Sequence, residues 1–518
     1  MATPVSSAPS NSPESPVRTY FGWQHERVAF LFGLSGQRAL MIGAGVLVGI
    51  WPVSASNMRM AVVCWPIAAV LFAAAFIRIN GRTADEWVTA AVSFQALRFR
   101  NQHKFLSAAF APDNADPSRG KPLDLPGILA PVSILDAYFP GGAPLALAKH
   151  RIDRTYTAIA RVTFPGIGLV DSSRREQRVS GWGGLLAGLC TEGSPIVRVQ
   201  ALQRLVPESG AALRRWHGDH LAVDAPEAAV AVTESLLATA TLATSQREAF
   251  LAFTMDERRA ASTIKAAGGG SVGAATVMTR HLRALAAQIG GADLHIQAWL
   301  GPRDLAEVIR TAYDPHSARH LADRRAGANN TDGEGLAAGV AASVTGPAAA
   351  EATPGHYLHD GAVSATYWVA EWPRSQTHAT VLAPLLGEGL HRRAFSMHFE
   401  PLGPREAEKS VMRERTKRSV AVRMRQRTGQ IVPEHEQAAL ERAAAQDAER
   451  AAGHGLVRMT GYVTVTVTDP GELDDACAAV EADAAAARIE VRRMWFAQDI
   501  GFAMSALPLG FGLPKKRW

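Results

Sequence analysis

Two long runs without a charged side chain, 39–58 and 60–77, lie near the front of this chain, and only Arg59 separates them. As a helix rising about 1.5 Å per residue, each run can cross a hydrocarbon core of roughly 30 Å. Together they predict a transmembrane helical hairpin over 39–78. Arg18, Arg27 and Arg38 precede the runs, and Arg78, Arg82, Arg98, Arg100 and Lys104 follow them. Excess Lys and Arg stays on the cytoplasmic side, so the expectation is a multi-pass protein of the inner membrane with both termini cytoplasmic. Trp51 and Pro52 close the first run, where an indole suits the interface. Pro66 falls inside the second run and removes a backbone donor there, which predicts a kink. A buried hairpin of a soluble domain and a cleaved signal peptide both fit these runs less well.

The rest of the chain has the make-up of a folded protein, with 47% apolar and 20% charged residues. A formal charge of +6 suits an anionic leaflet and does not call for nucleic acid. Cys64, Cys190 and Cys477 are too far apart in sequence to form a metal or redox motif.

Residues 1–16 are rich in Ser, Pro and Ala and are expected to be disordered. Residues 17–38 mix basic and aromatic side chains, as an interfacial segment or a locally packed arm would. After the hairpin, Thr83 and Glu86 have capping-box spacing, and the 80–110 segment reads as an amphipathic exit helix carrying Trp87, Ala91, Phe94 and Leu97. Residues 111–130 read as a linker. Strands at 155–164, 196–206, 248–255 and 294–300, with helices at 179–189, 226–244 and 272–289, make 131–315 a first α+β domain in ferredoxin-like order. Residues 316–362 lack periodicity and read as a flexible insertion. A second α+β domain at 363–518 follows, with strands at 366–372, 393–399, 457–468 and 489–495, and two long polar helices at 405–427 and 434–452. The expected fold class is therefore α+β: a transmembrane helical hairpin followed by two ferredoxin-like cytoplasmic units.

Chemistry-bearing motifs are sparse. No phosphate loop occurs, since the glycine-rich 268–273 stretch has no Lys to reach a phosphate. The pairs His217 and His220, His316 and His320, and His356 and His359 lack the further donors a metal requires. No nucleophile elbow or cysteine motif is present, so no catalytic, cofactor or metal residue is assigned and the chain is not read as an enzyme. The strongest charge feature is Arg413, Arg415, Lys417, Arg418, Arg423, Arg425 and Arg427 on one helix. Such a helix can meet nucleic acid, an anionic leaflet or an acidic partner face, or be a solvated face, and its sequence leaves DNA, lipid and protein open; the stacking aromatics that single-stranded nucleic acid needs are missing beside it.

Gly81, Arg82, Thr83, Asp85, Glu86 and Trp87, placed just after the apolar runs, resemble the PrgI family of small membrane proteins from conjugative type IV secretion systems. The closing run 498–512, with Gln498, Phe502, Leu507, Pro508, Leu509 and Gly510, is similar to the segment that leads TrbE/CagE-class conjugative ATPases from their amino-terminal domain into the motor. The Phe-Gly-Trp-Gln at 21–24 and the Gly-Tyr-Val-Thr-Val-Thr at 461–466 resemble an actinobacterial-type membrane protein family encoded beside such ATPases. These likenesses imply a non-catalytic inner-membrane component without a cofactor. Its partners would be the bilayer, a separate conjugation ATPase and other secretion-complex membrane subunits in a hetero-oligomer. An EccE-like structural subunit of a type VII secretion complex is the alternative with the same division into membrane and cytosolic parts.

Overall fold

A computed structural model describes residues 36–512 apart from 57, 77, 80–81, 108–122, 165–169, 208–210, 223, 241–244, 329–338, 374–376, 379, 388, 390, 428–433 and 452–454. The expected disorder at 1–16 and most of the interfacial segment therefore lie outside the described residues. β1 (Arg78–Ile79) and β2 (Arg82–Thr83) form a small antiparallel ribbon. The other described strands build a single sheet of thirteen. They are β3 (Lys104–Leu106), β4 (Val132–Tyr138), β5 (Pro144–His150), β6 (Thr155–Thr163), β7 (Ile196–Pro207), β8 (Ser245–Asp256), β9 (His295–Trp299), β10 (Ala349–Ala352), β11 (Tyr357–His359), β12 (Ala362–Glu371), β13 (Arg392–Leu402), β14 (Leu456–Val467) and β15 (Glu490–Arg493). Their order is β3-β10-β11-β12-β14-β13-β7-β8-β6-β5-β4, with β15 also on β12 and β9 also on β6.

The wiring of this sheet repeats. In the first half β4, β5 and β6 are successive neighbours, β6 pairs both β8 and β9, and β8 pairs β7. In the second half β10, β11 and β12 are successive neighbours, β12 pairs both β14 and β15, and β14 pairs β13. The halves meet where β7 and β13 run antiparallel, from Arg393 opposite Leu205 to Phe399 opposite Val199.

This corrects the expected fold class: the chain is one large antiparallel sheet with helices on it, not two ferredoxin-like units. Standing apart, each half would leave β7 or β13 as a long edge of unpaired amides, and their pairing satisfies both ladders. The expected two-span membrane hairpin is corrected as well. Among the described residues only Met58–Phe76 is long and apolar enough to cross a membrane; the other apolar stretch, Met41–Ser54, is shorter. At about 1.5 Å per residue that stretch reaches roughly 20 Å, short of a hydrocarbon core. It belongs to the helix Gly36–Ser54, which lies beside Ala61–Phe76 with Gly45 facing the Phe72 ring. The structure thus supports one candidate span and not a multi-pass arrangement.

Strand alternation sends side chains to two faces. Tyr156, Phe253 and Val199 point to one face, under the helices Ser172–Leu189 and Gly270–Gly291. Val463, Val465 and Tyr367 continue that face under Leu473–Ala486. Ile159, Phe250, Leu202, Ala394 and Tyr462 point the other way, under Pro302–Tyr313 and Gln498–Ser505. The 316–362 stretch expected as a flexible insertion contains the helix Ser317–Ala328 and the strands β10 and β11. Those strands are three and four residues long, too short for alternation to show, and only their partners define them.

Candidate functional site

Polar side chains gather on the inner face of the sheet, where the two halves join. Gln200 on β7 is fully buried and donates to Ser396 Oγ on β13 at 2.9 Å and to the carbonyl of Leu507 at 2.9 Å. Its carbonyl oxygen accepts from the Gly510 amide at 2.7 Å. His398 on β13 donates through Nε2 to the Met504 carbonyl at 2.8 Å. Arg198 reaches the Gly510 carbonyl at 2.8 Å and pairs with Glu400 at 2.8 Å. Ser505 Oγ donates to the Ala394 carbonyl, and Gln498 holds the Thr366 amide with its side-chain oxygen at 2.8 Å. The segment 498–511 therefore lies across both halves as a strap, pinned by side chains from β7 and β13 and by the backbone of β12.

Gly510 explains why the strap is sequence-specific. Its φ is +62°, and a Cβ there would collide with Thr254 Oγ1, so only glycine fits. Thr254 and Thr157 bond each other at 3.0 Å directly beneath it. Burial pushes the His398 imidazole down to about 4, so it stays neutral under the strap. The same burial takes His359 down to about 4, where it bonds Ser364 Oγ at 2.8 Å.

A second polar cluster sits toward the Pro302–Tyr313 helix. Burial alone would raise the Glu248 carboxyl, but Arg204 at 2.6 Å and Arg161 at 4.0 Å overcome it and hold the group below its usual range. Arg204 also donates to the Val308 carbonyl at 2.8 Å, tying that helix to β7. Among the described residues no group of three or more His, Cys, Asp or Glu is placed to hold a metal ion.

The residues singled out from sequence fall into four sets. Gln498, Phe502, Leu507, Pro508, Leu509 and Gly510 are all buried, and they form the strap. Trp87 and Phe94 on the helix Ala84–Phe99 pack against Trp495 and Phe496, with ring centroids 6.1 Å apart for Trp87 and Trp495 and 5.6 Å for Phe94 and Phe496. Thr83 lies directly before that helix, Gly81 is outside the described residues, and Glu86 is on its first turn. In the apolar region Trp51 and Arg59 are exposed, Pro52 is buried, and Pro66 is exposed within its helix; Arg38 lies in a helix and Arg78 in β1.

The basic helix is Pro404–Arg427, which packs on Glu434–Ala451 and buries its own Ala407, Val411 and Val422. Arg415 pairs with Asp447 across the two helices at 2.7 Å, while Arg413, Arg423 and Arg427 are exposed. Lys417, Arg418 and Arg425 lie on the same helix. The histidine pairs stay apart from one another: His220 stacks on Trp216, His316 and His320 are exposed, and His359 is a core residue.

Sequence reading missed Gln200, Ser396 and His398. The signal was present as polar residues at alternate positions of apolar strands, such as Ser396 and His398 between Phe395 and Phe399. Such residues read as a solvated face until a covering segment is known. No protein-family model and no characterised protein matches this chain.

Proposed function

We propose that this chain is a non-catalytic, membrane-associated structural component of a conjugative type IV secretion-like machine that positions a separate ATPase at the cytoplasmic face. The observation that carries this reading is the mounting of the Ala84–Phe99 helix. It follows the apolar helix Ala61–Phe76 after the short β1–β2 ribbon, and Trp87 and Phe94 lock it onto Trp495 and Phe496 beside the strap. A candidate membrane helix is thereby coupled stiffly to a large sheet, as a part that sets the position of a partner requires. The strap that resembles a lead-in to a conjugative motor is here buried from Gly501 to Phe511, so its role in this chain is to fasten the two halves of the sheet.

The test is purification of the full chain in detergent together with the conjugation ATPase encoded nearest to it. The expected result is a stoichiometric complex that the Trp87→Ala variant weakens, with ATP turnover from the ATPase alone. ATP hydrolysis by the purified chain, together with failure to retain the ATPase, would sink the proposal.

A further inference from the structure

The helix Ala84–Phe99 carries two apolar faces, and the sheet fills only one of them. At about 100° per residue, Trp87, Ala91 and Phe94 fall within about 60° of one another, on the face that docks on Trp495 and Phe496. Val88, Val92 and Phe99 fall within about 40° of one another on a second stripe, turned by roughly 120° from the first. These three are 57%, 63% and 92% exposed. An apolar stripe left in water needs a cover.

The start of the helix identifies the cover. The chain leaves the candidate membrane helix at Phe76, and the β1–β2 ribbon turns it straight back, with Ile79 opposite Arg82 and Arg78 opposite Thr83. Antiparallel partners lie about 5 Å apart, so Ala84 begins at the level where the apolar helix ends. The two helices are also in contact. A helix that begins where a span ends lies at the depth of the lipid headgroups. Charge agrees with that depth. The helix has two carboxylates, Asp85 and Glu86, both in its first turn ahead of the stripe, where the dipole favours them. Arg98 and Arg100 are exposed and stand on either side of Phe99 in the chain. Arginines so placed lay their stems along an apolar layer and keep their charge among phosphates.

We infer that the Ala84–Phe99 helix lies in the headgroup layer of an anionic leaflet, with Val88, Val92 and Phe99 toward the acyl chains and Arg98 and Arg100 on lipid phosphates. The inference rests on the membrane association proposed above and adds a lateral contact to it. The helix is then shared between two surfaces, the bilayer on one stripe and Trp495 with Phe496 on the other. It thereby sets the tilt at which the sheet stands on the membrane.

The test uses the full chain in proteoliposomes of phosphatidylcholine and phosphatidylglycerol. Cys64→Ala removes the thiol of the apolar helix, and Cys190 and Cys477 are buried. One cysteine is then added for an environment-sensitive fluorophore, by Val92→Cys on the stripe or by Ser93→Cys, an exposed position off the stripe. A lipid with a nitroxide near its headgroup is expected to quench the Val92→Cys label at least about twice as strongly as the Ser93→Cys label. Arg98→Glu/Arg100→Glu is expected to reduce the quenching at Val92→Cys, and so is leaving out phosphatidylglycerol. Equal quenching at the two positions, in protein that floats with the vesicles, would overturn the inference and leave the membrane association standing. Protein that fails to float with the vesicles would overturn both. A Val92→Cys label that lipid does not quench, but that is shielded when the ATPase is added, would overturn the inference and make the occupant a protein.

Discussion

The two halves of the sheet share one wiring diagram and differ in what is hung on it. In the second half the outer strand β10 is capped by β3, which continues from the membrane-proximal helix, and Trp495 and Phe496 receive Trp87 and Phe94. In the first half the equivalent outer strand β4 has no strand on its far side among the described residues, and the sheet is instead covered by the long helices Ser172–Leu189 and Gly270–Gly291. The second half is thus the mounted one and the first half the one held at a distance. The β7–β13 ladder and the strap join the halves, and side-chain contacts such as Arg310 with Asp360 and Trp182 with Phe399 add to them. The difference teaches that a repeated scaffold acquires direction from its attachments, and breaking each attachment tests that.

The largest effect is expected at the strap. Gly510→Val puts a branched side chain at φ +62° and drives its Cβ into Thr254. The left-handed backbone and the clash together should cost about 4 kcal/mol or more, enough to detach 506–512 from both halves. Limited proteolysis should then cut the chain near its end, and the thermal transition should split in two as the halves uncouple. A single native-like transition would mean the β7–β13 ladder holds the halves without the strap.

The next effect is acid sensitivity. His359 and His398 have ordinary values near 6.5 when unfolded and about 4 when buried. Between those limits the unfolded chain binds protons that the folded state refuses, so stability is complete above about pH 6.5 and falls as the pH drops toward 4. Each histidine contributes up to about 3 kcal/mol to that fall. His398→Gln can keep a donor to Met504 without a titrating ring, so its melting temperature should decline less steeply over the same range. Parallel declines in both proteins would show that His398 stays protonation-silent and that the junction is not the acid-labile element.

How much of this was legible follows from where the information lies. The strands β6, β7, β8, β13 and β14 were visible because they are long and carry alternating or β-branched side chains, as Val463, Val465 and Val467 do against threonines. The pairs β4–β5 and β10–β11 were not, since short segments such as Tyr357–His359 acquire their conformation from neighbours distant in sequence. The fusion into one sheet was invisible for the same reason, as β7 and β13 show nothing in sequence that says they pair. The strap residues were noticed as a motif, but their use was hidden. Gln498 and Gly510 matter through Thr366, Gln200 and Thr254, and no spacing rule connects those positions.

The mount itself should respond less than the strap. Trp87→Ala removes a half-buried indole from between Trp495 and Phe496 and should cost about 2 kcal/mol of docking energy. The sheet should melt almost unchanged, while amide exchange over 84–99 accelerates by about thirtyfold. Equal destabilisation of the whole sheet would show that the exit helix is part of the core of the second half and not an attachment to it.

The smallest effect is expected where the second half meets solvent. Arg415 is 50% exposed and Asp447 18% exposed, so the water around Arg415 screens their ion pair at 2.7 Å. Arg415→Ala should therefore cost less than about 1 kcal/mol, and the difference from the native protein should shrink further in high salt. Arg204 gives the contrast. It is 3% exposed, lies 2.6 Å from Glu248, and its loss would leave a half-buried carboxylate beside the junction without its nearest cation. Removing one partner of such a pair typically costs about 3 kcal/mol or more. If Arg415→Ala proved as damaging as Arg204→Ala, the helical insertion would be a fixed part of the second half. If it proved neutral, the insertion is a separable arm whose exposed arginines are available to a partner.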